Sequence, residues 1–428
     1  MPLTPAQIRE DLAFLRDEWL PLDHSFSAAQ RQEFNAVVAA AAERADTMQP
    51  YELELEVMRA AALAHNGHTY CPSQRLIHAL PIRLWWFADG LHVVSTHPDF
   101  SDLLGARIER LGKLTPAQAL DAVAPFLSGT EQRIRYLSAF YLGSPEVLHG
   151  IGATEEAGSG LLGLRLRDGT AVQRSLNRAD EFDPSFRQPD RPYFAFSVLI
   201  PGDAALPGRW PHVLDAVAER PLTYRKAVDV SVDWIGQGGK VLCVRSTQVL
   251  SDDQNRLDEK LVFGVLQRQV VARRPRFVVV DLRLNQGGNF FNTILFTDGL
   301  PRLLPPDGRI FVLISRATFS AALSTTAFLR GNGGDRTTLI GETIGDADRF
   351  WAEGGRKTLP NSKIEVQYAD GLHDWGAGCT DLCTCYWPAV AFGVRNISLA
   401  PDVRVEPTFA DYAAGRDPVL DAALARAT

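Results

Sequence analysis

The sequence predicts an α/β protein built on a mostly parallel sheet with covering helices. Two observations carry this. From about residue 240 onward, apolar strand-like runs at 241–245, 277–281, 310–314 and 338–340 alternate with helical stretches. That β-α-β order is the pattern of a parallel sheet with crossover helices. Ahead of it the chain is helical, and the stretch between is mixed, so further layers precede the main sheet.

The helical part comes first. Ile8, Leu12, Leu15 and Trp19 recur at the spacing of one helix face. Phe34, Val37 and Val38 mark a second helix in an alanine-rich stretch, and a third runs over about 52–64. Short connections between three such helices predict a small N-terminal bundle over 1–80.

Residues 85–182 change character. Strand-like runs lie at 90–94 and 105–112, a helix opened by Thr115 and Pro116 runs over 114–127, and strands return at 160–166 and 170–172. This order resembles a degenerate PDZ domain; an insertion particular to this protein type is the alternative. A stretch rich in Pro, Asp and Arg around 184–211 reads as linker, so 183–234 is expected to connect the parts and 235–428 to form the catalytic core.

Composition excludes several classes. Charged residues make up 22% and apolar residues 46%, which suits a chain with a large core. A net charge of −7 argues against a phosphate-binding surface, so no nucleic-acid partner is expected. No apolar run approaches the ~18 residues that span a bilayer. The first residues lack the basic and apolar regions of a secretory leader, which predicts a cytoplasmic protein. Removal of a leader before this sequence begins would instead place it in the periplasm or outside the cell. No cofactor is expected, and the oligomeric state is not legible.

Three segments carry the chemistry. Asp281, Asn285, Gly287 and Gly288 follow directly on a buried strand. Adjacent glycines at a strand end let backbone approach a ligand, and their N–H groups can supply half of an oxyanion hole. A plain turn is the alternative. Ser320 lies between an apolar strand and a helix, where a hydroxyl can be held out and the helix N-terminus favours a developing oxyanion. A simple helix cap by Ser320 or Thr318 is the competing reading. His68 follows Asn66 and Gly67 at the end of the third helix; histidine is the usual base for a nucleophilic serine.

Taken in order, these segments resemble those of S41 peptidases, the tail-specific and tricorn-type proteases. VVDLRLNQGG, ending at Gly288, resembles the family's DLRxNxGG turn, and TFSAA around Ser320 its nucleophile turn. NGHT around His68 is similar to the DGHT of the histidine-dependent branch, and GETIG from Gly341 to Gly345 to the GETxGG loop. The run from Val394 to Asp402 resembles the late PD segment. The likeness covers about 235–410 and the region of His68.

This resemblance implies a ClpP/crotonase-like β-α-β core sheet and a serine endopeptidase acting on a peptide or protein. Ser320 would be the nucleophile, His68 the base and then the acid, and the N–H groups of Gly287 and Ala321, with Gly288 beside them, the oxyanion hole. The loop after the next strand, 341–350, has no lysine, which sets aside the family's lysine-dependent variant. Asn66 replaces an aspartate, Asp346 a second glycine, and Arg395 a carboxylate. The acid that orients His68 is therefore open between Glu342 and Asp374, and Glu342 can equally be a structural carboxylate. A non-catalytic module binding peptide or apolar ligands, or an esterase or amidase for small substrates, are the alternatives.

Of the five cysteines, Cys379, Cys383 and Cys385 cluster near His373. Their spacing is not a standard zinc pattern. Inert thiols are the expectation, with a local disulfide the alternative for an exported protein and a metal the third.

Overall fold

The computed structural model describes residues 3–72, 75–182, 198–201, 210–225, 230–247 and 259–427. Most of the expected linker at 184–211 lies outside them. The chain divides into two compact units, one formed by Met1–Ala218 with Phe350–Gly371, the other by Glu219–Arg349 with Leu372–Thr428.

In the first unit, α1 (Pro5–Phe14) begins where the Thr4 side chain accepts from the Gln7 N–H while the Gln7 side chain caps Thr4 in return. A π-helical turn, Leu15–Trp19, continues it. Ile8, Leu12, Leu15 and Trp19 are all buried, as their spacing requires. Helix α2 (Ala28–Glu43) turns Phe34 inward to stack on Trp19 at 5.8 Å between ring centroids. Helix α3 (Pro50–Ala62) then leads to the turn that carries His68.

A five-stranded antiparallel sheet follows: β1 (Ile82–Phe87), β2 (Gly90–Thr96), β3 (Arg107–Leu111), β4 (Ser159–Arg165) and β5 (Ala171–Asn177), in that spatial order. Helices α4 (Pro116–Val123), α5 (Glu131–Tyr141) and α6 (Pro145–Gly150) are inserted between β3 and β4, and the short α7 (Ala179–Phe182) follows β5. The segment read as a PDZ-like module is thus a simple meander with a helical insertion. Along β4 the inward residues alternate, and Gly160, Leu162 and Leu164 face a core continuous with that of α1–α3. This shared apolar core makes helices and sheet one unit.

The second unit holds the six-stranded sheet. It begins with β6 (Val230–Ile235), antiparallel to β7 (Val241–Ser246). Helix α8 (Glu259–Arg273) leads to β8 (Phe277–Asp281), α9 (Ile294–Leu303) to β9 (Arg309–Ile314), and α10 (Ala321–Gly333) to β10 (Thr337–Gly341). The chain runs through β11 (Arg349–Ala352), the hairpin β12 (Gly355–Thr358) and β13 (Glu365–Tyr368), and β14 (Gly371–Asp374). It ends with α11 (Trp387–Phe392), β15 (Val403–Arg404), α12 (Phe409–Ala413) and α13 (Pro418–Leu424). The spatial order is β15-β10-β9-β8-β7-β6, parallel from β7 to β15.

Strands β7 and β8 are buried along their whole length, which is why they read as unbroken apolar runs. Val419, Leu420 and Ala423 of α13 join Val279, Phe311 and Leu313 in the core on one face. The expected ClpP/crotonase-like β-α-β core needs correction. An antiparallel strand closes one edge, and between β10 and β15 the chain leaves for the other unit over Phe350–Gly371. Local hydrophobic periodicity reports neither feature. No described helix is long and apolar enough to cross a membrane.

Candidate active site

Asp281, Ile314 and Gly341 end adjacent parallel strands, Asp281 opposite Leu313 and Gly341 opposite Ile314, so the loops after them start from one edge of the sheet. In open α/β sheets this carboxyl edge is where ligands bind. Each loop is built from short polar side chains that bond backbone instead of forming more strand.

Ser320 sits at the junction of β9 and α10 with φ +54° and ψ −126°. Side chains with a β-carbon rarely adopt such a backbone, which costs about 1–3 kcal/mol and survives only where the surroundings enforce it. Here they do. Thr318 Oγ1 donates to the Leu282 carbonyl at 2.8 Å and accepts from the Ser315 N–H at 3.0 Å. Ser315 Oγ donates to the Arg283 carbonyl at 2.5 Å, and Gln286 Nε2 donates to the Ala317 carbonyl. The Gly345 N–H donates to the Thr318 carbonyl at 3.1 Å. Ser320 occupies the N-cap position of α10, yet its side chain makes no capping hydrogen bond. The simple-cap reading therefore does not describe it.

The glycine turn abuts this residue. Gly287 has φ +104° and Gly288 φ +136°. A β-carbon on Gly287 would lie 2.6 Å from Ser320 Cβ and 2.9 Å from the Ala321 nitrogen. Asn285 holds the turn: its Oδ1 accepts the Gly287 N–H at 2.8 Å, and its Nδ2 donates to Ser246 Oγ at 3.0 Å. Its carbonyl also accepts the Phe319 N–H at 3.1 Å. This corrects one expected role, because the Gly287 N–H is already used. The N–H groups of Gly288 and Ala321 have no hydrogen-bond partner among the described residues. Asn285 lies inside the recognised motif, but its role as a brace depends on Ser246, which sequence spacing does not reveal.

Under the turn lies a buried charge network. Arg283 donates to Asp281 at 2.7 Å and to Asp417 at 2.6 Å, while Thr223 Oγ1 donates to Asp281 at 2.6 Å. Burial alone would raise the Asp281 pKa; the Arg283 charge and the hydrogen bonds outweigh it and hold the carboxyl below its ordinary range. Burial works against the Arg283 charge too, but the two carboxylates push its pKa further up.

Glu342 is engaged by Arg316, with Nη2 to Oε1 at 2.5 Å and Nε to Oε2 at 3.2 Å, both side chains being buried. Its carboxylate is thus ion-paired within the described residues. Asp374 closes a turn by accepting the Ala377 N–H at 2.8 Å, and its Oδ2 lies 3.8 Å from Arg349 Nε. The Asp348 pKa is pushed up, first by burial and then by the Asp374 charge.

His68 belongs to the other compact unit. Its ring is buried and stacks on Phe350 at 5.1 Å with 13° between planes. Asn66 braces this turn through Nδ2 to Thr69 Oγ1 at 3.0 Å and through Oδ1, which accepts the Trp351 N–H at 3.1 Å. Thr69 in turn donates to the fully buried Asp23 at 2.7 Å, and Asp23 accepts the Ala369 N–H at 2.9 Å. Asp23 went unnoticed in the sequence because its partners are far away along the chain.

Among the late cysteines, Cys379 and Cys385 form a disulfide and Cys383 is an exposed thiol. The expectation of inert thiols is corrected for that pair. Among the described residues no group of His, Cys, Asp and Glu is arranged to hold a metal ion.

Neither a protein-family profile nor a characterised protein sequence matches the chain. Solved structures do. Mature CPAF complexed with lactacystin superposes with a TM-score of 0.59 at 13% identity, over 99% of this chain and 98% of its own. Mature CPAF alone superposes at 0.58 and 14%, over 96% and 94%. The tricorn protease aligns 36% of its length with 99% of this chain, at 0.40 and 13%. At such identities the likeness is one of fold, and the chain shares the fold of mature CPAF. That finding replaces the ClpP/crotonase-like assignment: the match extends over both units, not over a β-α-β sheet alone.

Proposed function

We propose that this chain is a serine hydrolase, and within that class a peptidase of the S41 type, with Ser320 as its nucleophile. The observation that carries the reading is the strained Ser320 backbone, enforced by its neighbours and pressed against Gly287. A serine that merely ended a helix would relax and cap it.

In the proposed reaction His68 takes the Ser320 hydroxyl proton as Oγ attacks a peptide carbonyl carbon. The carbonyl oxygen becomes an oxyanion that accepts from the Gly288 and Ala321 N–H groups. Collapse breaks the C–N bond, and His68 returns its proton to the leaving amine. Water, deprotonated by His68, then attacks the acyl ester, and Oγ leaves as the hydroxyl. Glu342 and Asp374 both have other partners, so the orienting acid is left unassigned in this scheme. That same gap favours the second reading, a binding module without turnover.

Labelling by a fluorophosphonate probe separates the two. Wild type should label and Ser320→Ala should not; equal labelling of both sinks the nucleophile assignment, and no labelling of wild type favours the binding module. The Cys379–Cys385 disulfide favours an oxidising compartment over the cytoplasm. Trapping thiols in cells before lysis tests that placement.

A further inference from the structure

We infer that Phe291, Trp387 and Phe392 form an apolar ledge beside the glycine turn that takes apolar side chains of an extended polypeptide substrate; this rests on the peptidase reading above. Trp387 is 59% exposed and Phe392 50%, at the two ends of α11. Their rings lie 6.4 Å apart, and Trp387 lies 6.1 Å from Phe291. Leu295, on the first turn of α9, is 76% exposed. Scattered apolar side chains on a surface are ordinary, but a contiguous aromatic group in water marks an interaction site.

The position of this ledge selects its occupant. Phe291 is three residues after Gly288, so the two Cα atoms are at most about 11 Å apart. Gly287 in turn touches Ser320. The ledge is therefore within a few residues of extended chain from the proposed nucleophile. It is also held in place. Phe290 packs edge-on against Tyr386 at 6.2 Å and against Trp375 at 6.4 Å. Tyr386 immediately precedes Trp387, and the Cys379–Cys385 disulfide closes the loop just before it. A rigid aromatic shelf loses little entropy when a chain is laid on it. Apolar aromatic faces recognise Leu- or Phe-rich sequence better than acidic sequence.

The test uses the full chain carrying Ser320→Ala, which holds substrate without cutting it, and two fluorescein-labelled peptides of equal length, one rich in Leu and Phe, one rich in Ser and Glu. Fluorescence anisotropy should show preferential binding of the first. Adding Trp387→Ser or Phe392→Ser should weaken that binding about tenfold each, the loss expected when one aromatic contact is removed. Both side chains are already half exposed, so the variants keep the core, which a thermal melt checks. Equal binding of the two peptides, or unchanged affinity in both ledge variants, overturns the inference. So does light scattering that finds a dimer dissolved by the same substitutions, since the ledge would then hold a second copy. Probe labelling of the wild type reads the peptidase proposal separately, so the two can fail independently.

Discussion

Gly287 and Ser320 touch: the Cα hydrogen of Gly287 points to where a β-carbon would lie 2.6 Å from Ser320 Cβ. Two loops from neighbouring strands are thereby packed backbone to backbone, and the proposed oxyanion donors lie beside the hydroxyl proposed to react.

Gly287→Ala should therefore be severe at the site and mild elsewhere. The new methyl meets Ser320, and the φ of +104° suits only glycine. Displacing the donors should lower the rate of fluorophosphonate labelling about hundredfold or more. Labelling at the wild-type rate would show that this contact does not shape the site.

Asn285→Ala should cost stability as well as activity. It removes the acceptor of the Gly287 N–H and one donor to Ser246 Oγ. Groups left unsatisfied in a buried place cost about 1–3 kcal/mol each. Urea unfolding should show a loss of stability of that order, read as a lowered midpoint, and labelling should slow. Asn285→Asp keeps an acceptor for Gly287 but sets a carboxylate against the Ser246 carbonyl, to which Asn285 Nδ2 also donates at 3.2 Å, so it should not rescue the protein.

Acid should unfold the second unit partly through Asp281. Its folded pKa lies below the ordinary value, so its contribution to stability is complete above the unfolded pKa of roughly 4 and is lost as pH falls through the folded value. Urea midpoints measured from about pH 6 down to pH 2 should fall in that window. Asp281→Asn should be less stable at neutral pH by about 3–5 kcal/mol, because Arg283 loses a buried partner, and should show a shallower acid slope. An identical slope in both proteins would remove Asp281 from the acid response.

Cysteine chemistry should sort the five thiol positions into three groups. Iodoacetamide on the native protein should modify Cys383 alone, because Cys71 and Cys243 are buried and burial pushes the Cys243 thiol far up. Denaturation should add Cys71 and Cys243, and reduction should add Cys379 and Cys385. Mass spectrometry of digested protein reads each step. Alkylation of Cys379 or Cys385 before reduction would contradict the disulfide.

How far the site was legible varied residue by residue. Ser320 and the glycine pair stood out because a strand, a tight turn and a helix start leave local marks. The assignment of the Gly287 N–H as a donor failed because Asn285, two residues away, takes it. Glu342 looked like an orienting acid until Arg316, twenty-six positions earlier, was found across its carboxylate. Helices α5 and α6 went unread inside the mixed segment: α5 buries Arg133 and Ser138 among its apolar residues, and the six-residue α6 is buried from Pro145 to Leu148, so neither shows a clean apolar stripe.

The sequence by itself determined the alternation of strands and helices and the place of Ser320 at a strand-to-helix turn, because these depend on periodicity and on neighbours along the chain. Only the tertiary structure decided that β6 closes the sheet antiparallel, that 350–371 joins the N-terminal helices in one unit, that Cys379 pairs with Cys385, and that Asp23 and Asn66 hold the His68 turn. Each of these is a contact between distant residues. Its energy comes from burial and pairing in three dimensions, which no local pattern encodes.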